Sequence, residues 1–140
     1  MPAKSPAMVP SDLPVETVLD RAIGPRHAEA NELVALLEDI SGFTPVVWAG
    51  RIIGFGEYKY KYASGHSGRA PVLAYAPGPA KHTLYLSENF TQRWPELCEQ
   101  LGSYKASKVC LYITRLAKTD RNALRQLLEL TLADTLDTWG

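Results

Sequence analysis

Three tyrosines at alternate positions, Tyr58, Tyr60 and Tyr62, run into a Ser-Gly-His-Ser-Gly loop that carries Ser64 and His66 and leads to Arg69. Phenols, a hydroxyl, an imidazole and a guanidinium over so short a stretch can hold a small polar or anionic ligand by hydrogen bonds. Lys105 and Lys108, from a polar loop further along, would add positive charge to the same cleft. Plainer readings stand beside this one. Three tyrosines on one face of a strand also make a packed aromatic ladder, in which each buried phenol needs a polar partner. Ser67 beside His66 is a turn composition before it is a catalytic dyad.

Other chemistries find less in the sequence. The Ser-Gly-His-Ser-Gly loop lacks the G-x-S-x-G order and the strand-to-helix context of a nucleophile elbow. Gly54-Phe55-Gly56 is not a phosphate-binding loop, because no helix follows it. His27, His66 and His82 form no HxH or HxxxH spacing, and neither Cys98 nor Cys110 has a nearby ligand partner, so no metal site and no cofactor is assigned. RNA binding would need basic residues interleaved with exposed aromatics on one face. Alternation instead sets Lys59 and Lys61 opposite the tyrosines, and no nucleic-acid partner is expected. With no catalytic motif, the chain reads as a non-enzymatic binding or interaction module.

These residues need a scaffold. Over residues 52–62 the even positions are Ile52, Gly54, Gly56, Tyr58, Tyr60 and Tyr62, and the odd ones are Ile53, Phe55, Glu57, Lys59 and Lys61. A period of two predicts one strand, its even face covered by helices and Glu57, Lys59 and Lys61 in water. Residues 46–48 read as the apolar lead-in to that strand. Residues 72–75, 81–87 and 109–113 predict further strands, with Leu84 and Leu86 on one side and His82, Thr83 and Tyr85 on the other. Residues 64–70, 76–79 and 103–108 read as loops or turns. Ser11 and Asp12 offer a cap to a short helix through Val15, Val18, Leu19 and Ala22. A stronger helix over 26–40 carries the stripe Ala30, Leu33, Val34, Leu37 and Ile40, with Glu29, Glu32, Glu38 and Asp39 mostly off it, and Gly42 closes it. Phe90, Trp94, Leu97, Cys98 and Leu101 recur at helical spacing, the regular helix starting near Trp94 because Pro95 fits only a first turn. Asp120 caps a last helix over 121–137. The sum is an α+β domain: a small antiparallel sheet of about four strands against N-terminal, middle and C-terminal helices.

Composition bounds the rest. The chain has 140 residues, zero formal charge from 15 basic and 15 acidic side chains, and an apolar fraction of 46%. That predicts one domain over 11–140 behind a disordered tail over 1–10, with no global charge to draw nucleic acid or a membrane surface. No apolar run reaches the ~20 residues that span a bilayer. Two cysteines far apart fit buried thiols in a reducing, cytoplasmic setting. An exposed edge strand leaves room for a homodimer.

With the elements placed, the chain resembles the YdhG-like family, a bacterial domain family of largely unknown function. The matching pieces are Trp48, Ile52-Ile53-Gly54-Phe55-Gly56, Tyr58-Lys59-Tyr60-Lys61-Tyr62, Ser64-Gly65, Leu84-Tyr85, Leu101-Gly102 and Cys110-Leu111-Tyr112-Ile113. They come in the family's order and cover roughly residues 15–130. The resemblance implies an α+β fold and a cytosolic protein, and little chemistry. One branch of the superfamily is linked to frataxin-like iron delivery, so an iron-chaperone role is the alternative function. Its ligands would be an acidic ridge of Glu29 and Glu32, with Glu38 and Asp39 lower down, although a solvated helix face explains the same residues. The chain also departs from the family's pattern. Ala49 stands where Gly usually follows the Trp, His66 stands in place of Arg, Ala76-Pro77-Gly78-Pro79 replaces a Ser-Pro-Arg-Lys turn, and Ser103 replaces Lys. If the family holds an anion on a cationic rim, part of that rim is missing, with Lys81, Lys105, Lys108, Arg69 and Arg115 left to compensate.

Overall fold

Gly56 decides how the alternating stretch folds. Its backbone sits at φ 77°, where an L side chain is strained, and a Cβ there would meet the Phe43 ring at 2.7 Å. The extended run breaks at this point, so β2 (Ile52–Phe55) and β3 (Tyr58–Lys61) belong to different sheets. The structure, a computed structural model, describes residues 10–61, 65 and 67–139. Tyr62, Ser64, His66 and residues 1–9 therefore lie outside the described residues, whereas Pro10, the last residue of the expected tail, bridges to Trp48.

Residues 46–48 are not the lead-in to β2. They belong to β1 (Pro45–Trp48), which turns back through Ala49 and Gly50, both at positive φ, so that Trp48 pairs with Ile52. With β5 (Leu73–Pro77), β6 (His82–Tyr85), β7 (Lys105–Ala106) and β8 (Cys110–Ile113) these strands form a six-stranded antiparallel sheet in the order β1-β2-β5-β6-β8-β7. β3 pairs instead with β4 (Ser67–Ala70) as a separate hairpin. The α+β class holds, and the expected four strands become six plus a hairpin. Two of the additions come from segments expected to be loops. Ser-Gly-Arg-Ala and Lys-Ala carry no apolar alternation of their own and are extended because a neighbouring strand supplies the ladder.

The helices are α1 (Val15–Leu19), α2 (Pro25–Ser41), α3 (Phe90–Arg93), α4 (Pro95–Leu101) and α5 (Arg121–Trp139). Pro25 and Pro95 occupy first turns, where no N–H is needed, and Gly42 closes α2 at φ 74°. Asp120 caps α5, its Oδ1 accepting the Ala123 N–H at 2.9 Å. Ser11 does not cap α1. Its Oγ and its backbone N–H both donate to the Val47 carbonyl, which ties the chain to the outer edge of β1.

One face of the sheet carries the main core. There Ile53, Phe55, Tyr75, Leu84, Leu111 and Ile113 meet Leu33 and Leu37 of α2 and Leu124, Leu127 and Leu128 of α5. The covered face of β2 is thus the odd one, contrary to expectation. The reason is that Ile53 and Phe55 are the bulky apolar pair, whereas the even positions offer one Ile and a glycine. Ile52 packs with Trp48 and Ala74 on the other side. Gly54 is required there, because a Cβ would lie 2.5 Å from the Trp48 ring and 2.7 Å from Pro71. Beyond Gly56 the parity holds in a weaker form: Tyr58 and Tyr60 are half-buried on the hairpin, and Glu57, Lys59 and Lys61 are exposed.

Candidate anion-binding cleft

At one end of the sheet an open cleft of about 670 Å³ gathers four cations, Lys81, Lys105, Arg115 and Lys118. They come from three separate stretches: the turn between β5 and β6, strand β7, and the segment that follows β8. Tyr104 and Tyr112 supply ring surface and Ser103 and Thr114 supply hydroxyls, with no acidic side chain among the described residues that line it. Lys81 Nζ rests 4.5 Å from the centre of the Tyr112 ring, a cation–π contact that leaves its charge without a carboxylate.

The frame is fixed from α2. Arg26, in its first turn, donates from Nε to the Thr114 carbonyl at 2.7 Å and from Nη1 to the Pro79 carbonyl at 3.2 Å, clamping two of the three stretches together. Gly102 (φ 99°) bridges to Thr119 and brings the start of β7 against the short 3-10 turn Leu116–Lys118.

Behind Arg115 lies a buried polar chain. The Tyr75 hydroxyl is 2.6 Å from His82 Nδ1, and His82 Nε2 is 3.1 Å from Glu29 Oε1. Glu29 Oε2 accepts from Arg115 Nε at 3.1 Å and from the Ala117 N–H at 3.0 Å. Burial alone would push the Glu29 carboxyl up, but the hydrogen bonds from His82, Ala117, Leu116 and Arg115 outweigh it and bring the pKa down to about 2. Burial also disfavours the charged form of His82, with Arg26 and Arg115 adding to that, and these outweigh the opposing pull of Glu29. The imidazole is therefore held below its usual range. An ionised Glu29 can only accept, so the neutral imidazole carries its proton on Nε2 and accepts from the Tyr75 hydroxyl on Nδ1. Burial and then the Glu29 charge raise the pKa of that phenol.

These placements revise several expectations. His82 shares the buried face with Leu84 instead of lying with Thr83 and Tyr85, as its even number requires. Glu29 is buried where α2 was expected to be solvated. Cys98 is a buried thiol as expected, whereas Cys110 is only half-buried, facing away from the helices. The stretch 76–79 is not all turn: Ala76 and Pro77 finish β5, Pro77 pairing with His82 at the strand end.

The residues singled out from the sequence are spread over separate surfaces. Lys105 lines the cationic cleft. Tyr58 lines a smaller apolar cavity of about 260 Å³ with Ile52, Pro71 and Tyr85. Tyr60 lies across Gly68, its cross-strand partner, where a Cβ would collide with the phenol. Arg69 is paired with Glu57 through two hydrogen bonds of 2.6 and 2.9 Å. Lys108 is exposed, 3.3 Å from Glu88. Lys118, Tyr104, Tyr112 and the Tyr75-His82-Glu29 chain were not anticipated. The one signal available for the last was the parity of His82.

Of the carboxylates expected to form an acidic ridge, Glu29 is taken as described, Glu32 pairs with Arg121 at 2.9 Å and Asp39 pairs with Arg125 at 2.8 Å. Among the described residues no group of His, Cys, Asp and Glu is arranged to hold a metal ion. No helix among them is long and apolar enough to cross a membrane. No protein-family model, curated protein or solved structure matches the chain.

Proposed function

We propose that the protein is a non-enzymatic module that binds a small anionic ligand in the cleft of Lys81, Lys105, Arg115 and Lys118. The observation that carries this reading is the balance of charge. On a chain of zero formal charge, Arg69, Arg93, Arg121 and Arg125 are each answered by a carboxylate, whereas the three cleft lysines have no such partner among the described residues and, unlike the equally unpaired Arg21, Arg51, Lys59 and Lys61, line one concave surface together. A concave surface lined by one sign of charge focuses the field and draws counter-ions. The sealed Tyr75-His82-Glu29 chain supports binding over catalysis, since Tyr75 and His82 are fully buried and out of a substrate's reach. Membership of the YdhG-like family belongs to the same proposal. The iron-chaperone alternative draws less support, because Glu29, Glu32 and Asp39 already hold cationic side chains.

Isothermal titration with inorganic pyrophosphate at low salt tests the reading. Binding is expected, weakening as salt screens the lysines. The Lys105→Ala, Lys118→Ala double variant should bind about tenfold less tightly, which corresponds to losing two partly exposed charge contacts. No binding by the wild type, or binding indifferent to the double substitution, would overturn the proposal.

A further inference from the structure

Arg115 differs from the three lysines of the cleft in how it is held. Its side chain is 35% exposed and reaches the cleft, yet its Nε–H is taken by a carboxylate that is itself only 9% exposed. That carboxylate is fixed from the other side by a fully buried histidine and tyrosine. Glu29 also accepts the Ala117 N–H, so the backbone that carries Arg115 and the end of its side chain are fastened to the same group. A guanidinium is planar, so a bond at Nε fixes the direction in which Nη1 and Nη2 point, a fork that matches two oxygens of a single group. A lysine ammonium attracts any anion as a point charge and imposes no such geometry.

We infer that Glu29, backed by His82 and Tyr75, is a positioning residue that presents the Arg115 fork to the cleft, so that the ligand is an oxyanion offering two oxygens of one phosphoryl or carboxyl group. The inference rests on the anion-binding reading given above and names the chemical class it selects. Glu29 never touches the ligand. Its effect is to remove the freedom Arg115 would otherwise lose on binding.

The test turns on a sign. Glu29→Gln keeps the size of the side chain and deletes one negative charge behind the cleft. If the cleft works by attraction alone, pyrophosphate should bind this variant more tightly than the wild type. If Glu29 positions Arg115, binding should weaken by about tenfold, the range for losing a hydrogen bond to a charged group. Arg115→Lys, which keeps the charge and loses the fork, should weaken it to a similar extent, and it decides the matter if Glu29→Gln does not fold. A structural readout accompanies both: the Arg115 Nε–H resonance should be protected from exchange in the wild type and lose that protection in Glu29→Gln. Citrate should compete with pyrophosphate, and chloride at equal ionic strength should not. Undiminished binding in either folded variant, or equal competition by chloride, would overturn the inference while leaving anion binding intact. Failure of the wild type to bind pyrophosphate would remove the functional reading itself.

Discussion

The β3–β4 hairpin and the cationic cleft use the same residue types to different ends. Both combine tyrosines with basic side chains. On the hairpin the residues are neighbours in sequence, and the guanidinium is closed locally: Arg69 faces Lys59 across the ladder and is held by both oxygens of Glu57, while Lys59 and Lys61 stand exposed on an open strand. The tyrosine rings there cover glycine and apolar surface, with Tyr58 and Tyr60 centred 6.4 Å apart and Tyr60 lying over Gly68. In the cleft the residues come from three distant stretches, and the lysine charges are left open. A constellation that stands out in the sequence is therefore not the better candidate for binding. Local alternation and glycine placement are what a small hairpin needs simply to fold. Unanswered charge is visible only when the chain is assembled.

If that contrast is right, damage on the hairpin side should cost stability and spare binding. The largest effect is expected at Gly54, where β2 leads toward the hairpin. Any Cβ there meets the Trp48 ring at 2.5 Å and Pro71 at 2.7 Å, and neither a buried indole nor a proline ring can step aside without moving the strand beneath it. Gly54→Val should lower the stability measured by urea denaturation by about 3 kcal/mol, the upper end for overpacking. The fraction that stays folded should bind pyrophosphate as the wild type does.

The buried chain behind Arg115 makes a smaller, pH-dependent prediction. In the folded protein Glu29 takes up its proton only near a pKa of about 2, against 4.5 ordinarily, so as pH falls the unfolded chain protonates first. The stability tied to this group is complete above about 4.5 and is lost between there and about 2. His82 acts with the same sign at higher pH. Its folded-state pKa is depressed, so its contribution is present above the usual imidazole range and fades as pH drops below it. Urea midpoints followed from neutral pH to pH ~3 should fall in the wild type, and the portion below about 4.5 should flatten in Glu29→Gln. An unchanged acid limb in that variant would mean that Glu29 is not engaged as described.

How much of this was legible in the sequence follows from how local each signal is. The first turn at Pro95, the left-handed close of α2 at Gly42 and the Asp120 cap rest on neighbouring residues alone, and all three are found where expected. The break at Gly56 was not read, because alternation continues across it and only the fit of Phe43 against a positive-φ backbone reveals it. Glu29 reads as a solvated helix position, since its partners His82 and Arg115 lie 53 and 86 residues away. Lys81, Lys105 and Arg115 each drew notice as loose cations. No spacing rule says that they meet one another, or that Lys118 joins them.

The smallest effect is expected at the Glu57–Arg69 pair, and it is the sharpest check on the contrast. The two side chains are 33% and 43% exposed, so solvent and salt screen their attraction, and exposed pairs of this kind add little to stability. Glu57→Gln and Arg69→Gln, alone or together, should leave the urea midpoint and the pyrophosphate affinity unchanged. Removing Glu57 is the more telling half, because it frees a guanidinium beside the exposed Lys59 and Lys61 and gives the hairpin three open cations, as many as the cleft has open lysines. If charge alone made a site, Glu57→Gln should open a second pyrophosphate site. A titration that still fits one site would show that concavity and the clamped Arg115 matter as well, whereas loss of binding in Arg69→Gln would mean that the two regions form a single site after all.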